Sequence, residues 1–256
     1  MDTSDVFAGV ATHVVFAGGP PPTPDERSQL VDRLATVRIS RTVAADSGIA
    51  LADALGVGAP TGPALDVVLG DMDSVDPGRL ERASAEGSAV ERFPADKDAT
   101  DLELALDDAA AHAVPGDRLV VVGTTSGRFD HVLSTLLVLS APAYDAFERD
   151  AWLGGESIHV VQGARLLRLG AGTTFSVLPV HGDALGVTAR GVRWELHAEV
   201  LPAGTSRGVS NVAARDVVGI EVADGTVLVV VPSDRERPDG TGGADALQID
   251  DAEEAR

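Results

Sequence analysis

The sequence predicts an α/β fold: an N-terminal domain on a parallel sheet, then a smaller C-terminal antiparallel β-sandwich. Three observations predict it. From His13 to about Ser140, short β-rich runs alternate with helical stretches, the pattern of a parallel sheet with crossover helices. After about Asp150 the helical pattern stops, and apolar runs follow one another closely across Gly-rich turns. The length of 256 residues, 44% of them apolar, suits one large or two modest domains with a substantial core.

Residues 1–12 read as a loose tail. The first domain, 13–150, has expected strands at His13–Phe16, Thr42–Ala45, Leu65–Leu69, Ala89–Phe93 and Leu119–Val122. Helices are expected at Pro24–Val37, Ile49–Leu55, Pro77–Glu86 and Thr100–His112, with Val132–Leu139 as a last helix packed on the sheet. The second domain, 151–232, offers strands at Ser157–Val161, Ala164–Leu169, Thr173–Leu178, Val217–Val222 and Val227–Val231. Asp224-Gly225, between the last two, is a hairpin signal. From 233 to 256 Asp, Glu, Gly and Arg dominate, so that segment reads as a disordered acidic tail.

Composition removes several classes of function. With no cysteine there is no disulfide framework, no Cys-ligated zinc and no thiol nucleophile. The longest nearly apolar stretch, Val132–Ala143, falls short of the roughly 18 residues that a membrane span needs. The first ten residues are acidic where a signal peptide would be basic, which predicts a cytoplasmic protein. Acidic residues outnumber basic ones 40 to 20, and the net charge of −20 repels nucleic-acid backbones and anionic membranes. A nucleotide is still compatible, because divalent cations can bridge carboxylates to phosphates. Lys97 is the only lysine, and no GxxxxGK[ST] contains it, so there is no P-loop.

Carboxylates gather where the early strands are expected to end. Asp46 follows the second strand, and Gly70-Asp71-Met72-Asp73-Ser74 follows the third. Asp96-Lys97-Asp98-Ala99-Thr100-Asp101 follows the fourth, and Gly127-Arg128-Phe129-Asp130-His131 the fifth. Ligands of open α/β sheets bind in the crevice at those strand ends. Acidic loops converging there repel one another unless cations intervene, and hard oxygen donors favour Mg²⁺. Each segment also has a structural reading. Asp46 and Asp101 suit helix N-caps, and Asp96-Lys97-Asp98 suits a solvated turn. Four recurrences at one loop position favour a common site.

Two rival motifs fail. Gly204-Thr205-Ser206-Arg207-Gly208 matches the nucleophile elbow G-x-S-x-G, which needs a following helix, an acid and then a histidine. The last histidine is His197, so that order cannot be met. Gly56-Val57-Gly58 lacks the third glycine of a dinucleotide fingerprint. His13, His112, His159, His181 and His197 show no metal-ligand spacing and read as structural or surface residues.

At these residues the chain resembles the thiamine pyrophosphokinase (thiamine diphosphokinase) family. The resemblance runs through Ala44-Ala45-Asp46-Ser47-Gly48, Leu65-Asp66 to Ser74, Lys97-Asp98-Ala99-Thr100-Asp101 and Gly127 to His131. It continues in Gly191-Val192-Arg193-Trp194-Glu195-Leu196 and in Ser206 to Ser210-Asn211, and covers about 13–232. The family implies an α/β catalytic domain, a β-sandwich and a homodimer whose active sites lie between one subunit's catalytic domain and the other's sandwich. It implies pyrophosphoryl transfer from ATP to thiamine, with AMP released. Carried over by motif, Asp71, Asp73 and Asp101 would ligate Mg²⁺. Asp46, Lys97, Thr100 and His131, with Asp98, Arg128 and Asp130, would serve the nucleotide and the transferred group. Trp194, Ser210 and Asn211 would hold thiamine. Asp98 or Asp130 would accept the hydroxyl proton. Trp194 also suits a buried sandwich tryptophan. Phe16-Ala17-Gly18-Gly19 departs from the Asn-Gly common in the family. Two other functions compete: a pyrophosphokinase for another alcohol such as a hydroxymethylpterin, and a silent nucleotide- or thiamine-binding module.

Overall fold

The computed structural model describes residues 9–58 and 62–233. Strand β1 (Ala11–Phe16) leads through α1 (Pro24–Leu34) to β2 (Arg38–Ala45), and α2 (Gly48–Ala54) leads to β3 (Val67–Gly70). Then come α3 (Pro77–Ala85), β4 (Ala89–Arg92), α4 (Asp101–Ala111), β5 (Arg118–Gly123), α5 (Phe129–Leu139) and β6 (Glu148–Leu153). These six strands pair in parallel in the order β6-β5-β1-β2-β3-β4.

Both faces of this sheet are covered, so its strands read as nearly continuous Val, Leu and Ala runs. Val14, Phe16, Ala44, Val68, Val120 and Val122 point to one face and pack with α1, α2 and α3. Val15, Val43, Val67, Leu69, Leu119 and Val121 point to the other and pack with α4 and α5. The chain changes faces at α4, when it returns from the β4 edge to the far side of β1. That reversal makes a topological switch point beside β1, where the loops after β1, β2 and β5 open a crevice at the strands' C-terminal ends.

β6 also pairs antiparallel with β7 (Glu156–Arg168), so the sheet runs on into the second half of the chain. There β7, β8 (Thr174–Arg190) and β11 (Val217–Val231) form the body, with β9 (Leu196–Leu201) and β10 (Asn211–Val212) along β8. Each long strand is interrupted near its middle by a left-handed residue: Gly163 at φ 74°, His181 at φ 61° and Gly225 at φ 91°. The two halves of each strand enclose one core, with Phe175, Val177 and Val229 on one side and Leu167, Ile220 and Leu201 on the other. The second half is thus a two-layered antiparallel unit made from bent strands.

This corrects the expected hairpin. Val217–Val222 and Val227–Val231 do not pair with each other. They are one strand, aligned along β7 from Val217↔Arg168 to Val231↔Ser157. Asp224-Gly225 has the chemistry of a tight turn, but here the positive φ of Gly225 serves a bulge. Likewise Gly163 joins two expected strands into β7. β6, β9, β10 and the second half of β8 were absent from the expected set. α5 begins at Phe129 rather than Val132, so Asp130 and His131 lie in its first turn. β1 begins inside the stretch expected as a tail. Residues 1–8 and, apart from Ser233, the expected acidic tail lie outside the described residues. The boundary expected at 150 falls inside β6. Among the described residues, no helix is long and apolar enough to cross a membrane.

At the bottom of the sheet a charged network ties β5, β6 and β7 together. The buried Asp150 carboxylate accepts from Arg165 at 2.9 Å, pairs with His159 Nδ1 at 2.8 Å and lies 3.3 Å from Arg118 Nε. Burial pushes its carboxyl up, but Arg165, His159 and Arg118 outweigh that and hold it far below the usual carboxylate range.

Candidate active site

Two adjacent strand ends aim the carboxylates. Asp46, the first residue past β2, stands at φ 47° with its N–H bonded to the Leu69 carbonyl at 2.8 Å. This left-handed turn carries the chain from β2 into α2. α2 lies so close to β1 that a Cβ on Gly48 would sit 2.0 Å from the Phe16 carbonyl oxygen, which requires glycine. Past β3, Gly70 is at φ 147°, and a Cβ there would lie 3.0 Å from the Asp46 Cβ and 3.1 Å from the Asp101 Cγ. Asp46 and Asp101 therefore flank the Gly70 backbone, and a side chain at that position would crowd both.

Asp46, Asp71 and Asp73 place carboxylate oxygens within 4.8 Å of one another. Asp71 Oδ1 accepts from the Asp73 N–H at 3.1 Å, which shapes the loop. Ser74 donates its hydroxyl to Asp46 Oδ2, while Asp46 Oδ1 is buried with no hydrogen-bond partner. Repulsion from Asp71, then some burial and Asp46, raise the Asp73 carboxyl above its ordinary value. Three mutually repelling carboxylates with an orphaned buried oxygen fit a hard divalent cation such as Mg²⁺.

Asp101 is bound differently. Lys97 Nζ lies 2.9 Å from Asp101 Oδ1, 4.0 Å from Asp71 Oδ2 and 3.1 Å from the Pro94 carbonyl that it donates to. Its close pairing with Asp101 leads the causes that raise the Lys97 ammonium above its ordinary value. Asp101 is not the N-cap of α4. Thr100 is, its Oγ1 accepting from the Glu103 N–H at 3.2 Å, so that hydroxyl is committed to the helix. Nor is Asp46 the cap of α2, a position that Ser47 holds. Asp66, also within the motif, accepts from the Thr42 N–H at 2.7 Å and pins β3 to β2.

The loop after β5 closes one side of the crevice. A Cβ on Gly127, at φ 95°, would meet the Pro20 ring at 3.0 Å, so the loops after β1 and β5 touch. Arg128, 71% exposed as a side chain, pairs with Asp130 through Nε at 3.2 Å and Nη2 at 2.5 Å. Asp130 is held below the ordinary carboxylate range chiefly by that hydrogen bond. Asp98 and His131 are exposed.

The remaining residues lie elsewhere. Trp194, 54% exposed and so no core tryptophan, sits in the β8–β9 connection with the Arg193 guanidinium 4.9 Å above its ring. Ser210 stands at φ 60°, its N–H bonded to Ser176 Oγ at 3.1 Å. Asn211 is 6% exposed, and its amide is engaged by the Trp194 and Val212 backbone. β10 and β2 are seven steps apart in the strand order, on the order of 30 Å along the sheet at ~4.8 Å per step. One chain therefore brings Asp46, Asp71, Asp73, Lys97 and Asp101 together and leaves Trp194 and Ser210 apart from them. Ser74 and Arg193 were not singled out beforehand. Ser74 stands inside the acidic motif and adjoins two candidate ligands, a signal that could have marked it.

Comparisons with known proteins follow this division. No curated protein sequence matches the chain. Among solved structures it is similar to the thiamine pyrophosphokinase of Bacillus subtilis, at 21% identity and a TM-score of 0.71 over 88% of this chain and 99% of that one. The thiamin pyrophosphokinase of Candida albicans matches at 13% identity and a TM-score of 0.69, over 88% of this chain and 90% of that one. The yeast enzyme matches at 15% identity and a TM-score of 0.65, over 87% and 86%. At such identities these likenesses speak for the fold. Two family models also match in sequence: the thiamin pyrophosphokinase catalytic domain over 35–148, which holds every acidic loop, and its vitamin B1 binding domain over 157–227, which holds Trp194, Ser210 and Asn211. With both of its domain models matched in order across most of its length, the chain belongs to the thiamin pyrophosphokinase family.

Proposed function

We propose that this protein transfers a pyrophosphoryl group from ATP to the hydroxyl of thiamine, forming thiamine diphosphate and AMP with the help of Mg²⁺. The observation that carries this reading is the Asp46, Asp71 and Asp73 cluster at the C-terminal ends of the adjacent strands β2 and β3. In the reaction the thiamine oxygen attacks the β-phosphorus of ATP, the α–β bridging bond breaks in line, and AMP leaves. Such transfers depend on positioning and charge neutralisation. Asp46, Asp71 and Asp73, with Asp101, would hold Mg²⁺, whose charge offsets that of the phosphates. Arg128, exposed on the loop after β5, would offer a planar fork suited to phosphate oxygens. Of the two carboxylates considered for the hydroxyl proton, Asp130 is weakened as a base by Arg128, which leaves Asp98.

The acceptor side needs a second copy of the chain. Trp194 offers an exposed ring that can stack on a cationic heterocycle, but it lies far from the acidic loops of its own chain. A homodimer in which one copy's Trp194 and Ser210 face the other's carboxylates would complete each site. Phe129, Leu133 and Leu137, four residues apart on the exposed side of α5, give that copy an apolar face beside Arg128. The test incubates purified protein with ATP, Mg²⁺ and thiamine and measures AMP and thiamine diphosphate. Stoichiometric formation of both is expected. ADP in place of AMP, or no product, would reject the reading.

A further inference from the structure

The acidic cluster already contains a cation, and it belongs to the chain. Four carboxylates surround Gly70 and the loop behind it, yet only Asp46, Asp71 and Asp73 bring oxygens within 4.8 Å of one another. The fourth, Asp101, forms an ion pair with Lys97 at 2.9 Å, and the same ammonium lies 4.0 Å from Asp71 Oδ2. Its side chain is only 15% exposed, so it fills space between these carboxylates. We propose that Lys97 is the resident counter-ion of the cluster and gives up Asp101 to an entering divalent cation. The proposal deepens the pyrophosphokinase reading and rests on it.

Three features make the exchange physically reasonable. A single ammonium cannot compensate four carboxylates, whereas a divalent cation carries twice the charge and can bind several oxygens at short range. Lys97 lies on the connection between β4 and α4, outside regular structure, at the end of a flexible four-carbon stem. The ammonium also keeps a partner when it lets go, because it already donates to the Pro94 carbonyl of its own loop at 3.1 Å. Asp101, by contrast, is fixed at the start of α4 next to Gly70 and needs little movement to face the cluster. The exchange would keep the carboxylates neutralised before metal arrives and leave the ammonium free to meet a phosphate afterwards.

The test exploits Lys97 being the only lysine in the chain. Mn²⁺ binding is measured by electron paramagnetic resonance, without nucleotide, for the parent and for Lys97→Gln. If Lys97 competes with the metal, the variant binds Mn²⁺ about tenfold more tightly, since a positive charge close to the site has been removed. In the parent, acylation of Lys97 by an amine reagent, mapped by mass spectrometry, should rise severalfold on adding saturating Mg²⁺. Equal or weaker Mn²⁺ binding by a folded Lys97→Gln, or labelling that stays level or falls with Mg²⁺, overturns the proposal. Should the variant not fold, labelling of the parent decides. Neither readout depends on thiamine turnover, so a protein that exchanges Lys97 for metal but forms no AMP would refute only the pyrophosphokinase reading.

Discussion

Asn211 holds Trp194 by both of its backbone polar groups: its Oδ1 accepts from the Trp194 N–H at 3.2 Å, and its Nδ2 donates to the Trp194 carbonyl at 2.8 Å. The same Oδ1 accepts from the Val212 N–H at 2.8 Å. With its amide committed in this way, the structure makes Asn211 a positioning residue for the tryptophan ring. Asn211→Ala leaves part-buried backbone groups of Trp194 and Val212 without this partner and should cost about 1 kcal/mol of stability. It should also raise the KM for thiamine severalfold while kcat changes much less. Thermal melts and steady-state kinetics check both. A loss of stability with an unchanged KM would reduce Asn211 to a structural bond.

That role shows how far the sequence carried and where it stopped. Ser210-Asn211 was visible as a motif, but the division of labour within it depends on which backbone groups the fold brings near. The parallel half was readable because strands buried on both faces leave unbroken Val, Leu and Ala runs, such as Leu119–Val122, between helical patterns. The antiparallel half was less so. Gly163 and Gly225 look like turns in sequence, yet in space they bend single long strands. β6 was missed because Glu148, Arg149 and Asp150 interrupt its apolar pattern, and their charges are paired in space: Glu148 with Arg118, Arg149 with Asp145 and Asp150 with Arg165. The acidic loops were legible because Asp71 and Asp73 share one short motif. Which carboxylate bonds to Lys97 was not, since that depends on where α4 begins.

Arg128 gives a second test, independent of the fold. Its side chain is exposed, and its fork engages only the exposed Asp130 among the contacts described for it. Arg128→Lys should therefore leave the melting temperature nearly unchanged, as exposed ion pairs contribute little. Turnover should fall at least about tenfold, because an ammonium cannot offer two parallel donors to phosphate oxygens. Equal turnover would mark Arg128 as a generic surface charge.

The buried Asp150 makes a pH-dependent prediction about stability. Its carboxyl is depressed in the folded protein relative to about 3.9 in the unfolded chain. The sign follows: its stabilisation is fully present above about pH 4 and is lost as pH falls toward the folded value. Asp150→Asn leaves Arg165, Arg118 and His159 without the carboxylate and should cost about 3–5 kcal/mol at pH 7. Below pH 4 the gap between parent and variant should narrow, because Asp150 takes up a proton in the unfolded parent while the folded one stays ionised. Chemical denaturation at pH 7 and pH 3.5 measures it. A gap equal at both values would show that the charge of Asp150 is not what ties β5, β6 and β7 together.

The separation of Trp194 from the acidic loops yields the sharpest test. If each site joins one copy's carboxylates to the other copy's Trp194, two inactive variants can rescue each other. Asp71→Asn removes a charged oxygen from the cluster, and Trp194→Ala removes the exposed ring. Neither side chain is buried under the core, so both variants should fold. In a mixed dimer, one site combines an intact cluster with an intact tryptophan, and the other carries both defects. At equal mixing about half of the dimers are mixed, each with one working site, so activity should recover to about a quarter of the parent's, given random exchange. AMP release is measured against mixing ratio, with subunit exchange followed by native mass spectrometry. If each site were built within a single chain, every site in the mixture would keep one defect. No recovery despite proven exchange would therefore reject the shared site.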